Sequence, residues 1–279
     1  MAYQAEISRT NPAAFLFLID QSSSMADPFG ASNSGKSKAD GVAAAINRLL
    51  HNIVIKCAKG ESIRDYYYVG LIGYGANLQL GFAGELAGDV LQPVSRIADH
   101  PMRIEERIKK NDDGAGGVVE EAVKFPVWIE PKANGRTPMK EAFTKAVPIV
   151  RDWIEKHPGS FPPIVINITD GESTDGDPSE AANVIKEQAT SDGNILLYNV
   201  HLSSNRSAAL EYPSEDGELP DEYARLLFNM SSTLPGHMAE AAKQEGYSVT
   251  EKSRGFVFNG DIVAVISFLD IGTRPANMR

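Results

Sequence analysis

Two short apolar runs, each followed by an aspartate, constrain the fold of this chain more than any other feature. The first covers residues 13–19 and is followed by Asp20, and the second, rich in isoleucine and valine, covers residues 164–169 and is followed by Asp170. Short apolar runs of this kind are typical of strands that are buried on both faces of a parallel sheet. Each aspartate therefore lies where a buried strand is predicted to end.

Strands and helices are predicted to alternate along the rest of the chain. Apolar residues recur at helical spacing in residues 39–58, and an aromatic and β-branched run typical of a strand covers residues 66–74. Further segments are predicted as helices at 137–155, 178–191 and 263–269, and as a strand at 195–202. This alternation predicts an α/β fold with a doubly wound, Rossmann-like, mainly parallel sheet flanked by helices. We expect a single domain over residues 1–279.

Three segments depart from this alternation. Residues 81–135 combine short β-like runs with charged stretches and the turn sequence 112–114, which predicts an insertion that carries a β-hairpin. Residues 205–221 are rich in Ser, Pro, Glu and Asp and are expected to form an exposed loop. Residues 222–279 are interpreted as a mainly helical C-terminal extension.

Charge and composition narrow the classes of function. The formal net charge of −10 would repel nucleic acid and anionic membrane surfaces. The single cysteine, Cys57, lies within an apolar helical pattern, which favours a buried structural thiol over a reactive one. The N-terminal residues lack the pattern of a signal peptide, and no apolar stretch is long enough to span a bilayer. We therefore expect a soluble, cytoplasmic protein.

The loop after the first predicted strand carries a pattern of oxygen ligands. Asp20, Ser22 and Ser24 alternate along the chain directly beyond the strand, where α/β folds form their ligand crevice. A loop that bends there can direct alternate side chains to one point, and hard cations such as Mg²⁺ prefer oxygen ligands in octahedral directions. The pattern predicts a metal-binding loop.

This pattern resembles the metal-ion-dependent adhesion site of the von Willebrand factor A family, which begins with an Asp-x-Ser-x-Ser loop. The family's next ligand is a threonine in a Gly-x-Thr-Pro-type loop before a helix, and residues 135–138 match it with Thr137. Its last ligand is the aspartate of a strand-Thr-Asp-Gly turn, and residues 169–171 match it with Asp170. The resemblance covers about residues 10–204.

The resemblance implies a metal site with direct coordination by Ser22 and Ser24. Thr137 and Asp170 would then exchange between direct and water-mediated contact as a partner binds. It further implies Mg²⁺, or Mn²⁺ or Ca²⁺, whose remaining position takes an aspartate or glutamate of a protein partner. Such a protein is a non-enzymatic interaction domain. The chain looks most similar to the bacterial cytoplasmic members, including the tellurite-resistance-associated type, which are linked with phosphatases, kinases or ATPases in stress and defence systems.

Two alternative functions remain open. Residues 30–37, from Gly30 to Ser37, satisfy the P-loop pattern of nucleotide hydrolases. A P-loop, however, follows its strand directly, whereas here a polar loop containing Pro28 separates Asp20 from Gly30. The second alternative keeps the fold without a metal and binds partners through the 81–135 insertion, as a metal-independent scaffold.

Overall fold

The computed structural model describes residues 2–28, 35–112, 118–202, 209–260 and 262–272. The strands in chain order are β1 (Ala13–Asp20), β2 (Ala58–Lys59), β3 (Ser62–Ile63), β4 (Tyr67–Tyr74), β5 (Leu78–Leu80), β6 (Leu91–Pro93), β7 (Arg103–Asp112), β8 (Val118–Val127), β9 (Ile164–Thr169), β10 (Ala189–Thr190), β11 (Gly193–Asn194), β12 (Leu196–His201), β13 (Leu210–Glu211) and β14 (Phe256–Phe258). The helices are α1 (Lys38–Cys57), α2 (Val94–Asp99), α3 (Met139–Lys156), α4 (Ser179–Glu187), α5 (Glu222–Met230), α6 (Gly236–Gln244) and α7 (Ile262–Gly272).

The central sheet is mainly parallel, and its strand order is β13-β14-β12-β9-β1-β4-β5, with β6 also paired to β4. The parallel pairs join β14, β12, β9, β1 and β4 in turn. The short strands β5, β6 and β13 are antiparallel additions at the two edges. From β1 the chain adds β4 and β5 toward one edge of the sheet, and it then returns to the other side of β1 to add β9, β12 and β14. This is a doubly wound order. The predicted fold class is confirmed.

Helices cover both faces of the sheet because the side chains of β1 alternate between two apolar layers. Phe15, Phe17 and Ile19 pack in the layer that contains buried residues of α1, α6 and α7. Leu16 and Leu18 pack in the opposite layer, which contains buried residues of α3, α4 and α5. Strand β1 is thus buried on both faces over its whole length, as its continuous apolar run predicts.

Most predicted elements are present, with shifted ends. The predicted helix 178–191 ends earlier, at Glu187, because residues 189–194 turn back as the small β10–β11 hairpin, in which Gly193 has a φ of +150°. The segment from residue 222 contains three helices and also β14, a parallel strand of the central sheet. Residues 205–221 are predicted to be an exposed loop, but residues 210–211 form an edge strand. Residues 205–208 of this segment lie outside the described part.

The insertion contains the predicted hairpin, formed by β7 and β8, which pair in antiparallel register from Arg103 with Val127 to Asp112 with Val118. Its predicted turn falls partly on residues 113–117, outside the described residues. One face of the hairpin packs on α1, since the rings of Phe125 and His51 lie 5.2 Å apart. Among the described residues, no helix combines the length and apolar character needed to cross a membrane.

Candidate metal-binding site

The three sequence motifs meet at the carboxyl end of the sheet, where the strand order reverses. Asp20 ends β1, and Asp170 follows β9, the parallel neighbour of β1. The crossover from β1 to β4 runs through α1 on one face, whereas the connection that returns to β9 runs through α3 on the other. Such a reversal opens a crevice beyond the strand ends, which is the usual ligand position in this class of fold.

Asp20 is buried, with 1% of its surface exposed, and both of its carboxylate oxygens accept hydrogen bonds. The backbone N–H of Ser22 donates to Oδ1 at 2.8 Å, and the Thr169 hydroxyl donates to Oδ2 at 2.6 Å. Burial raises the pKa of the Asp20 carboxyl above its ordinary value, because desolvation outweighs these hydrogen bonds and the nearby Asp170 carboxylate opposes a second negative charge. A bound cation would offset that unfavourable burial of charge.

The hydroxyls of Ser22 and Ser24 lie next to each other, and the Ser24 hydroxyl also contacts Asp170. The two Oγ atoms are 3.0 Å apart, and Ser24 Oγ donates to Asp170 Oδ1 at 2.8 Å. Adjacent ligands of an octahedral Mg²⁺, bound at about 2.1 Å, are separated by about 3.0 Å. These hydrogen-bonded oxygens therefore lie close enough together to serve as neighbouring ligands of one metal ion.

The loop before α3 is fastened to the loop after β1. The backbone N–H of Ser23 donates to the Gly135 carbonyl at 3.0 Å, and the Gly135 N–H donates back to Ser23 Oγ at 3.0 Å. One residue earlier, the Asn134 N–H donates to the Gln21 carbonyl at 2.7 Å. Gly135 has a φ of +89°, and a Cβ there would lie 2.3 Å from the Ala76 nitrogen, so this close approach requires glycine.

Thr137 lies between this loop and the loop that follows Asp170. Its backbone N–H donates to Thr174 Oγ1 at 3.1 Å, and its carbonyl accepts from the Thr174 N–H at 2.9 Å. Asp175 then caps α3, since its carboxylate accepts from the N–H groups of Lys140 and Glu141 at 3.0 and 2.8 Å. The loops that follow β1, precede α3 and follow β9 thus form one closed ring of hydrogen bonds around the crevice.

Lys38 is a functional candidate that sequence reasoning missed. It is the first residue of α1, and its side chain is only 3% exposed. Its ammonium donates to Asp170 Oδ2 at 2.8 Å, while the Asp170 side chain is fully buried. The Ser37 capping box, completed by Asp40, fixes the start of α1 at this position. The capping box is the one local signal that the sequence offers for Lys38, because Ser37 and Asp40 together indicate that the helix begins at this lysine.

His201 ends β12 beside β9, opposite Thr169 in the parallel register. Burial lowers the pKa of its imidazole, which favours the neutral ring, although Asp221 and Asp170 act in the opposite direction. Its Nδ1 atom is buried and makes no hydrogen bond to any of the described residues. His201 also makes a hydrogen bond with the backbone of Asp170. We assign it no ligand role, because this contact is with the backbone of Asp170 and not with its carboxylate.

The available donors fit a hard divalent cation. The described residues contain no group of three or more His, Cys, Asp or Glu side chains arranged to hold a metal. The site instead offers hydroxyls with two carboxylates, an all-oxygen set suited to Mg²⁺ or Mn²⁺ rather than to a softer ion. The predicted ligands are Asp20, Ser22, Ser24, Thr137 and Asp170. Side-chain hydrogen bonds join Ser22 to Ser24 and Ser24 to Asp170. Thr137 is connected to the loop after β9 through its backbone N–H.

The P-loop pattern lies only partly within the described residues, since 29–34 are outside them. In the described part, β1 is followed by a short 3₁₀ helix, Ser23–Ala26. The Ser37 hydroxyl, which a P-loop would direct to a magnesium ion, donates to Asp40 Oδ2 at 2.7 Å and accepts from the Asp40 N–H. These contacts favour the role of a helix cap.

No protein-family model matches this chain, and no curated protein matches it. Solved structures similar to it include the manganese-loaded TRAP protein of Plasmodium vivax, with 13% identity over 99% of this chain and 78% of that one, at a TM-score of 0.45. The ArnB paralog VWA2 of Sulfolobus acidocaldarius shows 15% identity over 72% of this chain and 36% of that one, at 0.34. The vWF domain of the pilus tip protein Mfa5 of Porphyromonas gingivalis shows 14% identity over 58% and 38%, at 0.31.

These similarities are distant. The matched region spans well under two thirds of the Sulfolobus and Porphyromonas chains, and every TM-score is below 0.5. We therefore base no functional argument on them, and the site is interpreted from its own geometry.

Proposed function

We propose that this chain is a metal-dependent protein-interaction domain of the von Willebrand factor A type, without enzymatic activity. Asp20, Ser22, Ser24, Thr137 and Asp170 would hold one divalent cation, Mg²⁺ or Mn²⁺. An aspartate or glutamate of a protein partner would complete the coordination shell. The metal supplies a strong local positive charge at the crevice, and the residues around it position that charge.

The meeting of the Ser22, Ser24 and Asp170 oxygens beyond the neighbouring strands β1 and β9 carries this proposal. Their successive separations of 3.0 and 2.8 Å are hydrogen-bond distances, and they are compatible with adjacent ligands of one octahedral ion. The ring of loop hydrogen bonds supports it further, because rigid loops hold ligands at these spacings before a metal arrives. With only two carboxylates in the set, a bound dication would retain net positive charge and attract another carboxylate.

The charge of the whole chain determines how such a partner would be attracted. At a net charge of −10, long-range electrostatics would slow the approach of an acidic partner rather than steer it. The attraction must therefore come from the cation at short range. This favours a partner that presents one carboxylate in a mainly neutral or basic surface. The cytoplasmic stress-response setting, and a phosphatase, kinase or ATPase as the partner, remain part of the proposal through the sequence resemblance alone.

Isothermal titration of metal-stripped protein with Mg²⁺ and Mn²⁺ tests the site. We expect one cation per chain, with affinity reduced at least tenfold in Ser24→Ala, because a direct ligand is lost. Ser62→Ala is a matched control, since Ser62 is exposed in β3 beyond the C-terminal end of α1. Equal affinities in Ser24→Ala and the wild type would contradict the assignment. ATP titrated in parallel, with Lys36→Met, tests the nucleotide-hydrolase alternative.

The partner chemistry has a separate test. A peptide display library is selected on the protein in Mg²⁺ and eluted with EDTA. We expect the recovered peptides to share an aspartate or glutamate, and their binding to be lost in Ser24→Ala. Recovery of peptides without a carboxylate, or binding that persists in EDTA, would argue against metal-mediated docking.

The metal-independent scaffold is favoured by one observation on the β7–β8 hairpin. Ile104 and Ile108 lie on the same face of β7, and they are 60% and 68% exposed. Exposed apolar side chains on one face of a hairpin are typical of a binding surface. Partner binding that is insensitive to EDTA but abolished by Ile108→Ser would support this function instead.

A further inference from the structure

The Lys38–Asp170 ion pair is an unusual feature of a cation site. A lysine ammonium is rarely buried to 3% exposure, and its paired carboxylate is fully buried. Both oxygens of Asp170 are in use, because Ser24 donates to Oδ1 and Lys38 donates to Oδ2, each at 2.8 Å. The protein thus places a positive charge of its own on the carboxylate that we assign to the metal.

A dication and this ammonium cannot share Asp170 without cost. A charge within about 4–6 Å of an ionised group changes the equilibrium constant for forming that ion by about one to three powers of ten. Burial strengthens the repulsion between like charges. Lys38 has an alternative acceptor at hand, since its Nζ lies 3.9 Å from Asp27 Oδ2. The Asp27 side chain is 57% exposed, so a shift of the ammonium toward Asp27 is also a shift toward solvent.

We propose that Lys38 is a built-in counter-cation of Asp170, which a divalent cation must displace toward Asp27 in order to bind. This inference rests on the proposed function and concerns its regulation. Lys38 lowers the affinity of the site for metal and neutralises a buried carboxylate until the metal arrives. A monovalent ion such as K⁺ brings no more charge than the tethered ammonium, so Lys38 also makes the site selective for divalent ions.

Titration calorimetry of Mg²⁺ into Lys38→Met and Lys38→Gln tests the competition. We expect both variants to bind Mg²⁺ at least about tenfold more tightly than the wild type, in line with the effect of one removed charge at this range. Lys36→Met is the matched control, because Lys36 is exposed and its substitution makes the same change in net charge. Its affinity is expected to stay within about threefold of the wild type.

The possible results separate this inference from the proposed function. Unchanged or weaker Mg²⁺ binding in both Lys38 variants would overturn the competition. If the wild-type affinity still depended on Ser24 in that case, the metal site itself would stand. Absence of Mg²⁺ binding in the wild type and in all variants would overturn both proposals.

A measurement on the wild type keeps the inference testable if the Lys38 variants fail to fold. Lysine side chains are labelled with an amine reagent, and the labelling rates of Lys38 and Lys36 are compared by peptide mass spectrometry. Lys38 is expected to label slowly in EDTA, because it is buried, and at least fivefold faster in saturating Mg²⁺, with Lys36 unchanged. Equal protection of Lys38 in both conditions would overturn the displacement.

Discussion

Replacing Gly135 with alanine tests the closed ring of loops that forms the site. The Gly135 backbone has a φ of +89°, and an added Cβ would lie 2.3 Å from the nitrogen and 2.4 Å from the Cα of Ala76. The left-handed conformation costs a residue with a Cβ about 1–2 kcal/mol. The overlap with the Ala76 backbone cannot be relieved by a side-chain rotation, so the loop must move and weaken its hydrogen bonds to Ser23, each contributing about 1 kcal/mol.

Together these terms predict a loss of about 2–4 kcal/mol in the free energy of unfolding of Gly135→Ala. Urea denaturation followed by circular dichroism measures this loss, and the metal affinity is expected to fall as well, because the same loop carries Thr137. Gly171→Ala is the matched control, since a Cβ at Gly171 meets no atom of the described residues within 4 Å and its φ is not positive. If Gly135→Ala were as stable as Gly171→Ala, the close approach of the loops would be refuted.

Two further predictions concern α1. Burial raises the pKa of the Cys57 thiol to about 12, so at pH 8 its thiolate fraction is on the order of 1000-fold lower than that of a free cysteine. Native protein should therefore react very slowly with a thiol reagent at pH 8 and rapidly after denaturation; fast native labelling would contradict the burial. Ser37→Ala removes the side chain that caps α1 and should lower the free energy of unfolding by about 1 kcal/mol in urea denaturation. A change of less than 0.3 kcal/mol, roughly that of an exposed Ser62→Ala control, would contradict the cap.

The sequence predicted the centre of the fold better than its edges. Strands β1 and β9 were recognisable because burial on both faces requires continuous apolar runs. Strands β5, β6 and β13 have only two or three residues, too few for a periodic pattern, and their pairing depends on the strand they join. Strand β14 was missed because its three residues lie within a segment of helical character.

The sequence predicts where the candidate ligands Asp20 and Asp170 lie, but not the charge balance around them. Asp20 and Asp170 follow recognisable strands, so their meeting at one edge of the sheet follows from parallel topology. Lys38 is one of two lysines in a polar segment, and nothing in the local composition shows that its side chain is buried against Asp170, more than 130 residues away. That contact depends on the packing of α1 against the sheet, which is a tertiary property.

The location of a bound metal tests the central claim most directly. Crystals grown with Mn²⁺, and measured at the manganese absorption edge, give an anomalous difference peak at each bound ion. We predict one peak at the carboxyl end of β1, about 2.1–2.3 Å from the Oγ atoms of Ser22 and Ser24, and its loss in Ser24→Ala crystals. A peak away from these hydroxyls, or the absence of a peak at saturating Mn²⁺, would contradict the proposed metal site.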